Sequence, residues 1–209
     1  MAAELKDLLI VVPCKNTQFT LRGGLSRPEA IGIRAVSYEI VVHSNRDPGV
    51  RTTGAALANL RRAQFQHALL VFDHEGCGAE ENTPDELQQQ IEAELQPVWG
   101  ESARVVVINP EVDVWLWGSD NALAGVLSWP SDKGGIREWL TAQGWQFGQK
   151  GKPVRPKEAF EKLREIHKQP RSSSLYETIA GKLSLKNCSD GAFQRIAEIL
   201  RQWFSPPLG

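Results

Sequence analysis

The chain reads as an α/β protein with a mostly parallel central sheet of about four strands, followed by an α-helical C-terminal segment. Three observations predict this. Short apolar or β-branched runs alternate with stretches of helical periodicity, a strong helix start stands between the third and fourth runs, and the pattern becomes helical after the fourth. Strands that alternate with helices need crossover connections, which set neighbouring strands parallel.

The elements follow in chain order. Leu8-Leu-Ile-Val-Val12 is a continuous apolar run ended by Pro13, as in a strand buried on both faces. Asn16 to Gly32 predicts one helix interrupted at Gly23-Gly24 and restarted with Ser26 as N-cap and Pro28 in its first turn. Tyr38 to His43 is the second strand, Asp47-Pro-Gly49 a turn, and Val50 to Ala63 a helix with Arg61 and Arg62 near its end. His67 to Phe72 is the third strand and runs directly into Asp73-His-Glu-Gly-Cys-Gly78. Thr83-Pro-Asp-Glu86 carries an N-cap, a proline at the first position and a glutamate at the third, so a helix should run from there to Pro97. Arg104 to Asn109 is the fourth strand.

Beyond it, Ile136 to Ala142 is a short helix, Gly144 to Pro156 a linker, and Pro156 to His167 and Ser174 to Leu183 are helices. Asp190 to Phe204 places Phe193, Ile196, Ala197, Leu200 and Phe204 on one face. The organisation expected is an α/β domain over residues 1–145 with a helical segment, 146–209, packed on it.

Composition narrows the function classes. With 41% hydrophobic and 23% charged residues, the chain can build a globular core. No apolar run approaches the length of about 18 residues that spans a membrane, and the N-terminus, with Glu4 and Asp7 leading straight into a strand, lacks the pattern of a signal peptide. A cytoplasmic protein without a membrane partner is expected. Cys14, Cys77 and Cys188 are widely spaced and odd in number, which predicts free thiols in a reducing compartment. No GxxxxGK[ST] or GxGxxG loop follows any strand, which argues against nucleotide binding of those kinds. Charge is polarised: Asp73 to Asp113 holds eleven acidic residues against Arg104 alone, while Lys150 to Arg171 holds eight basic against three acidic.

Ligands of parallel sheets sit beyond the carboxyl ends of the strands. Three such ends are polar here: Pro13-Cys-Lys-Asn16, Asp73-His-Glu75 and Asn109-Pro-Glu-Val-Asp113. Asp73 and Glu75, one residue apart on an extended segment, face the same way and suit a shared divalent cation. Oxygen ligands favour magnesium or manganese. His74 between them is a candidate general base, and the alternative for the whole segment is a solvated loop that caps the next helix. Glu80 and Glu81 read as solvated loop charges. Six of the seven tryptophans lie between Trp99 and Trp145. Trp115 and Trp117 point opposite ways, which predicts one in the core and one at a surface, with packing against the C-terminal helices or base stacking as their uses. Lys150-Gly-Lys-Pro-Val-Arg-Pro-Lys157 reads as a phosphate-contacting stretch, a solvated linker or a partner for the acidic loop of a neighbouring subunit.

Val71-Phe-Asp-His-Glu-Gly76 and Pro110-Glu-Val-Asp-Val-Trp-Leu116 together resemble the Toprim fold of topoisomerases, primases and overcoming-lysogenization-defect nucleases. Within it they are similar to small Toprim-like bacterial proteins of anti-phage defence loci. The resemblance covers roughly residues 8 to 120. It implies metal-dependent phosphodiester hydrolysis, with Asp73, Glu75 and Glu111 holding Mg2+ or Mn2+ and His74 or Lys15 handling protons or charge. It also implies other defence-system proteins, and nucleic acid, as partners. Active Toprim enzymes carry a glutamate at the end of the first strand, where this chain has Val12-Pro-Cys-Lys-Asn16. Cys14 and Lys15 stand in that place. The departure implies an alternative, a non-catalytic subunit that keeps the fold and binds a protein partner through a Trp-rich surface.

Overall fold

Four strands, β1 (Lys6–Val12), β2 (Tyr38–Val42), β3 (Phe65–Asp73) and β4 (Ala103–Ile108), pair in parallel in the order β2-β1-β3-β4. The computed structural model describes residues 5–148, 151–183 and 190–206; Cys188 and Lys150 lie outside them. The strand period of two divides each apolar run between two cores. Leu8, Ile10, Val12, Leu69, Val71, Val106 and Ile108 face one core, and Leu9, Val11, Ala68, Leu70, Phe72, Val105 and Val107 face the other.

The chain steps from β1 out to β2, then back across β1 to β3. Right-handed crossovers send such opposite steps over opposite faces. Accordingly α1 (Lys15–Leu25) packs on the first core, and α3 (Arg46–Leu60) and α4 (Pro84–Trp99) on the second. The reversal opens a switch point between the carboxyl ends of β1 and β3. The start of α4 is as its sequence predicts: Thr83 Oγ1 accepts from Glu86 N at 3.3 Å, and Glu86 Oε2 accepts from Thr83 N at 2.7 Å.

Two local expectations are corrected. Gly23-Gly24 does not break the first helix; α1 runs through it to Leu25, Ser26 closes it, and the short α2 (Pro28–Ile31) starts after Arg27. A Cβ at Gly23 would lie 2.4 Å from Glu177 O and 2.9 Å from Ala180 Cβ, both in α8 (Ser173–Ala180), so this glycine lets two helices touch. Likewise Asp47-Pro-Gly49 is the first turn of α3 and not a separate turn. Proline is at home there, and a Cβ at Gly49 would strike the His43 ring at 2.2 Å.

After β4 the chain returns to the first core. A 3-10 segment, Val112–Gly118, buries every residue from Val112 to Trp117. Trp115 and Trp117 are each 1% exposed, so neither is at a surface. Both use their ring N–H groups on the C-terminal region: Trp115 Nε1 donates to Asp190 Oδ1 at 2.8 Å, and Trp117 Nε1 to Pro156 O at 3.1 Å. The helices α5 (Asp120–Leu127), α6 (Ile136–Ala142), α7 (Pro156–Ile166) and α9 (Gly191–Phe204) complete this side with α8. Within the expected linker before α7, Gly148 N donates to Lys152 O at 2.8 Å and Val154 N to Gln146 O at 3.0 Å. In α9, Ile196, Ala197, Leu200 and Phe204 are buried and Phe193 is partly so. One cluster thus runs from Leu8 to Phe204 and joins residues on both sides of position 146.

Adjacent glycines of α1 should answer substitution with opposite signs. Gly23→Ala should cost about 1–3 kcal/mol by forcing α8 away. Gly24, with nothing within 4 Å of a built Cβ, should gain about 0.5–1 kcal/mol as alanine. Urea unfolding midpoints of the two variants read this directly.

Candidate functional site

At the carboxyl edge of the sheet, around the switch point, a crevice of about 550 Å3 is lined by Lys15, His43, Asp47, Asp73, Glu111, Asp113 and Lys157 among others. The strand ends deliver these groups. Asp73 is the last residue of β3, Asp47 sits in the first turn of α3 after β2, and Glu111 and Asp113 follow β4. Asp73, Glu111 and Asp113 are 8%, 6% and 3% exposed, which makes their charges costly.

Each carboxylate has one oxygen engaged by the fold. Asp47 Oδ1 accepts from Asp73 N at 2.8 Å, and Asp73 Oδ1 from Val112 N at 2.9 Å. Asp113 Oδ1 accepts from the Tyr176 hydroxyl at 2.6 Å, and Glu111 Oε2 from Lys157 Nζ at 3.0 Å. Burial pushes the Asp73 carboxyl well above the ordinary range, and repulsion from Asp47, Asp113 and Glu111 adds to it. Burial also raises Asp47, Glu111 and Asp113; Asp113 adds repulsion on Glu111, while Lys157 pulls all three back toward ionisation. The Tyr176 phenol is raised by burial and by the neighbouring Asp113, which keeps it a donor.

His43 is a support for the crevice wall. Its Nδ1 accepts from Asn45 N at 3.2 Å, and its Nε2 lies 3.0 Å from Thr53 Oγ1, whose hydroxyl donates to Gly49 O. With Nδ1 accepting, Nε2 is the donor to Thr53 Oγ1.

Of the residues singled out in the sequence, the structure brings Asp73, Glu111 and Lys15 together. Lys15 is exposed at the rim, as the first residue of α1, and Cys14 before it makes no capping bond from its side chain. Glu75 and His74 are not brought into the crevice. The alternation that would align Glu75 with Asp73 ends with β3: His74 N makes the last ladder bond, to Ile108 O, and Glu75 lies beyond it in a turn, with its N donating to Pro110 O. Glu75 is exposed and acts on Glu111 only by repulsion. His74 Nε2 lies 2.8 Å from Asn82 O; a carbonyl only accepts, so this nitrogen carries a proton and staples the loop. Cys77 in that loop is fully buried, and burial raises its thiol.

Sequence reasoning missed Asp47, Lys157 and Tyr176. Asp47 had a signal, an acid placed just after a strand on the same edge as Asp73. Lys157 and Tyr176 had none, because only the return of α7 and α8 brings them here. The basic stretch is not a free stripe: Lys152 pairs with Asp190 at 3.2 Å, Arg155 with Glu158 at 2.7 Å and Lys157 with Glu111.

Hard divalent cations take oxygen ligands of this kind, so the crevice fits magnesium or manganese in donor chemistry. In the arrangement seen, no group of three or more His, Cys, Asp or Glu side chains among the described residues forms a cage for an ion. The ammonium of Lys157 stands against Glu111 instead. No family model, curated protein or solved structure matches this chain. Among the described residues, no helix is long and apolar enough to cross a membrane.

The raised carboxyls predict a pH dependence. The native state binds protons that the unfolded chain releases, so these groups make stability fall as pH rises from the unfolded carboxylate range through their raised values. Asp73→Asn keeps an oxygen for Val112 N. It should melt above the wild type at about pH 8, and the gap should close toward about pH 4.

Proposed function

We propose that this chain is a Toprim-like component of a prokaryotic defence system, whose acidic crevice binds a divalent cation and hydrolyses a phosphodiester of nucleic acid. The observation that carries the reading is the gathering of Asp47, Asp73, Glu111 and Asp113 around one crevice at the switch point, all with raised carboxyls. Such a cluster is short of positive charge. Perturbed groups converging on a cleft are the usual mark of a functional site.

Asp73 and Glu111 would hold the ion, with Asp113 and Asp47 completing the negative wall. If bound, the ion would supply positive charge to the phosphoryl oxygens and make a water it holds more acidic than bulk water. The chain's own groups position this chemistry. Val112 N, Asp73 N and the Tyr176 hydroxyl each fix one carboxylate oxygen, so the carboxylates are aimed before any ligand arrives. Lys15 opens α1, whose first turn holds no acidic residue, and the start of a helix beside a switch point suits a phosphate. The end of β1 lacks the glutamate of active Toprim enzymes, and Asp47 supplies a carboxylate on that side from the β2 end.

A second reading has an observation of its own. Lys157 already neutralises Glu111, which suits a subunit that retains the fold and binds a protein partner without chemistry. With Trp99, Trp115 and Trp117 buried, its aromatic contact surface would come from the partly buried Trp129, Trp139, Trp145 and Trp203.

Mn2+ or Mg2+ should raise the melting temperature of the wild type, by about 2.7 kcal/mol of stability when the free ion is a hundredfold above its dissociation constant. An Asp73→Asn, Glu111→Gln double variant should lose the shift, together with weak metal-dependent cleavage of a labelled oligonucleotide. Absence of both the shift and the cleavage in the wild type overturns the metal chemistry and leaves the partner-binding reading.

A further inference from the structure

Lys157 reaches the crevice from the far half of the chain, and its position is built. It is the second residue of α7, whose first residue, Pro156, accepts at its carbonyl from Trp117 Nε1 at 3.1 Å. Trp117 belongs to the same buried 3-10 segment as Asp113, directly after Glu111. One packed segment therefore fixes both the carboxylates and the start of the helix that carries the ammonium.

The pair is lopsided. The Glu111 side chain is 7% exposed and that of Lys157 57%, so the ammonium reaches in from solvent over a buried acid. Burial leaves Glu111 dependent on a cation. A divalent ion bound to Glu111 and Asp73 would stand beside the Lys157 ammonium, and like charges at that range repel strongly in a partly dry site. The two cations compete for one place. Lys157 also has a long flexible stem with a rotatable donor head, so it can leave Glu111 without moving α7.

We infer that Lys157 is a tethered cation that holds the place of the divalent ion, and that the ion enters as a phosphodiester draws the ammonium away from Glu111. The inference rests on the metal reading proposed above and adds a coupling to it. By linkage, ion and phosphodiester then each tighten the binding of the other. Without the phosphodiester the ion binds weakly, because it must displace the ammonium into water.

The test is a Mn2+ titration of the full chain, followed by loss of the free-ion EPR signal, with and without the dinucleotide thymidylyl-thymidine. Wild type and Lys157→Arg should bind Mn2+ weakly alone and at least about 5-fold more tightly with the dinucleotide. Lys157→Met, which keeps the stem and removes the charge, should bind Mn2+ about 10-fold more tightly than wild type without the dinucleotide and gain nothing from it. If wild type binds Mn2+ and Lys157→Met binds no more tightly, the inference is overturned and the metal reading stands. If the dinucleotide leaves Mn2+ binding to the wild type unchanged, the transfer of the ammonium to phosphate is overturned. If no form binds Mn2+ under either condition, the metal reading falls and takes the inference with it.

Discussion

A parallel sheet must be covered on both faces, and the crossovers of this one cover them unequally. The order β2-β1-β3-β4 sends α3 and α4 to one face and leaves α1 as the only substantial crossover helix on the other. Everything after β4 answers that shortage. Trp115 and Trp117 fill the space beside α1, α8 presses against α1 at Gly23, and α9 closes the far side. Each fully buried large apolar side chain contributes about 1.5–3 kcal/mol relative to exposure, so the C-terminal half is part of what makes the sheet stable. Arg34 shows how tightly the ends are joined: its N–H donates to Phe204 O at 2.9 Å, and its guanidinium lies over the Phe204 ring.

The same covering creates the electrostatics of the crevice. Two buried aspartates at opposite ends of the sheet make the contrast. Asp7, near the start of β1, receives the Arg34 guanidinium and the Ser37 N–H and hydroxyl, and Arg34 beside it holds its carboxyl down to about 2. Asp73, at the end of β3, has a single backbone N–H donor and other carboxylates for neighbours. The first is a satisfied joint between β1 and the segment before β2. The second carries a deficit of positive charge that its own hydrogen bond does not meet, which is what sets a candidate site apart from a satisfied joint.

The sheet was legible because its signals are local. Leu8 to Val12 and Arg104 to Ile108 are continuous apolar or β-branched runs, and Thr83 to Glu86 is a complete capping box. The glycines were misread where their reason lies across the fold, Gly23 against α8 and Gly49 against His43. In the candidate site, Asp73 and Glu111 could be found because strand ends of a parallel sheet share one edge. Glu75 was misplaced because alternation was carried two residues past the end of β3, into a turn where its N donates to Pro110 O. Lys157 and Tyr176 could not be found by local pattern at all, since their approach depends on Trp117 and on the contact of α1 with α8.

The order of the chain adds a consequence during synthesis. All four strands are complete at Ile108, yet the face served by α1 is not fully covered until Phe204 emerges. At a ribosomal pace of about 5–20 residues per second, the roughly hundred residues from Ile108 to Phe204 take on the order of 5–20 s. For that time the nascent sheet presents Leu8, Ile10, Leu69, Val71, Val106 and Ile108 with little more than α1 over them. Such a surface is a substrate for a holding chaperone, and a stalled or prematurely ended chain would be released with its adhesive side bare.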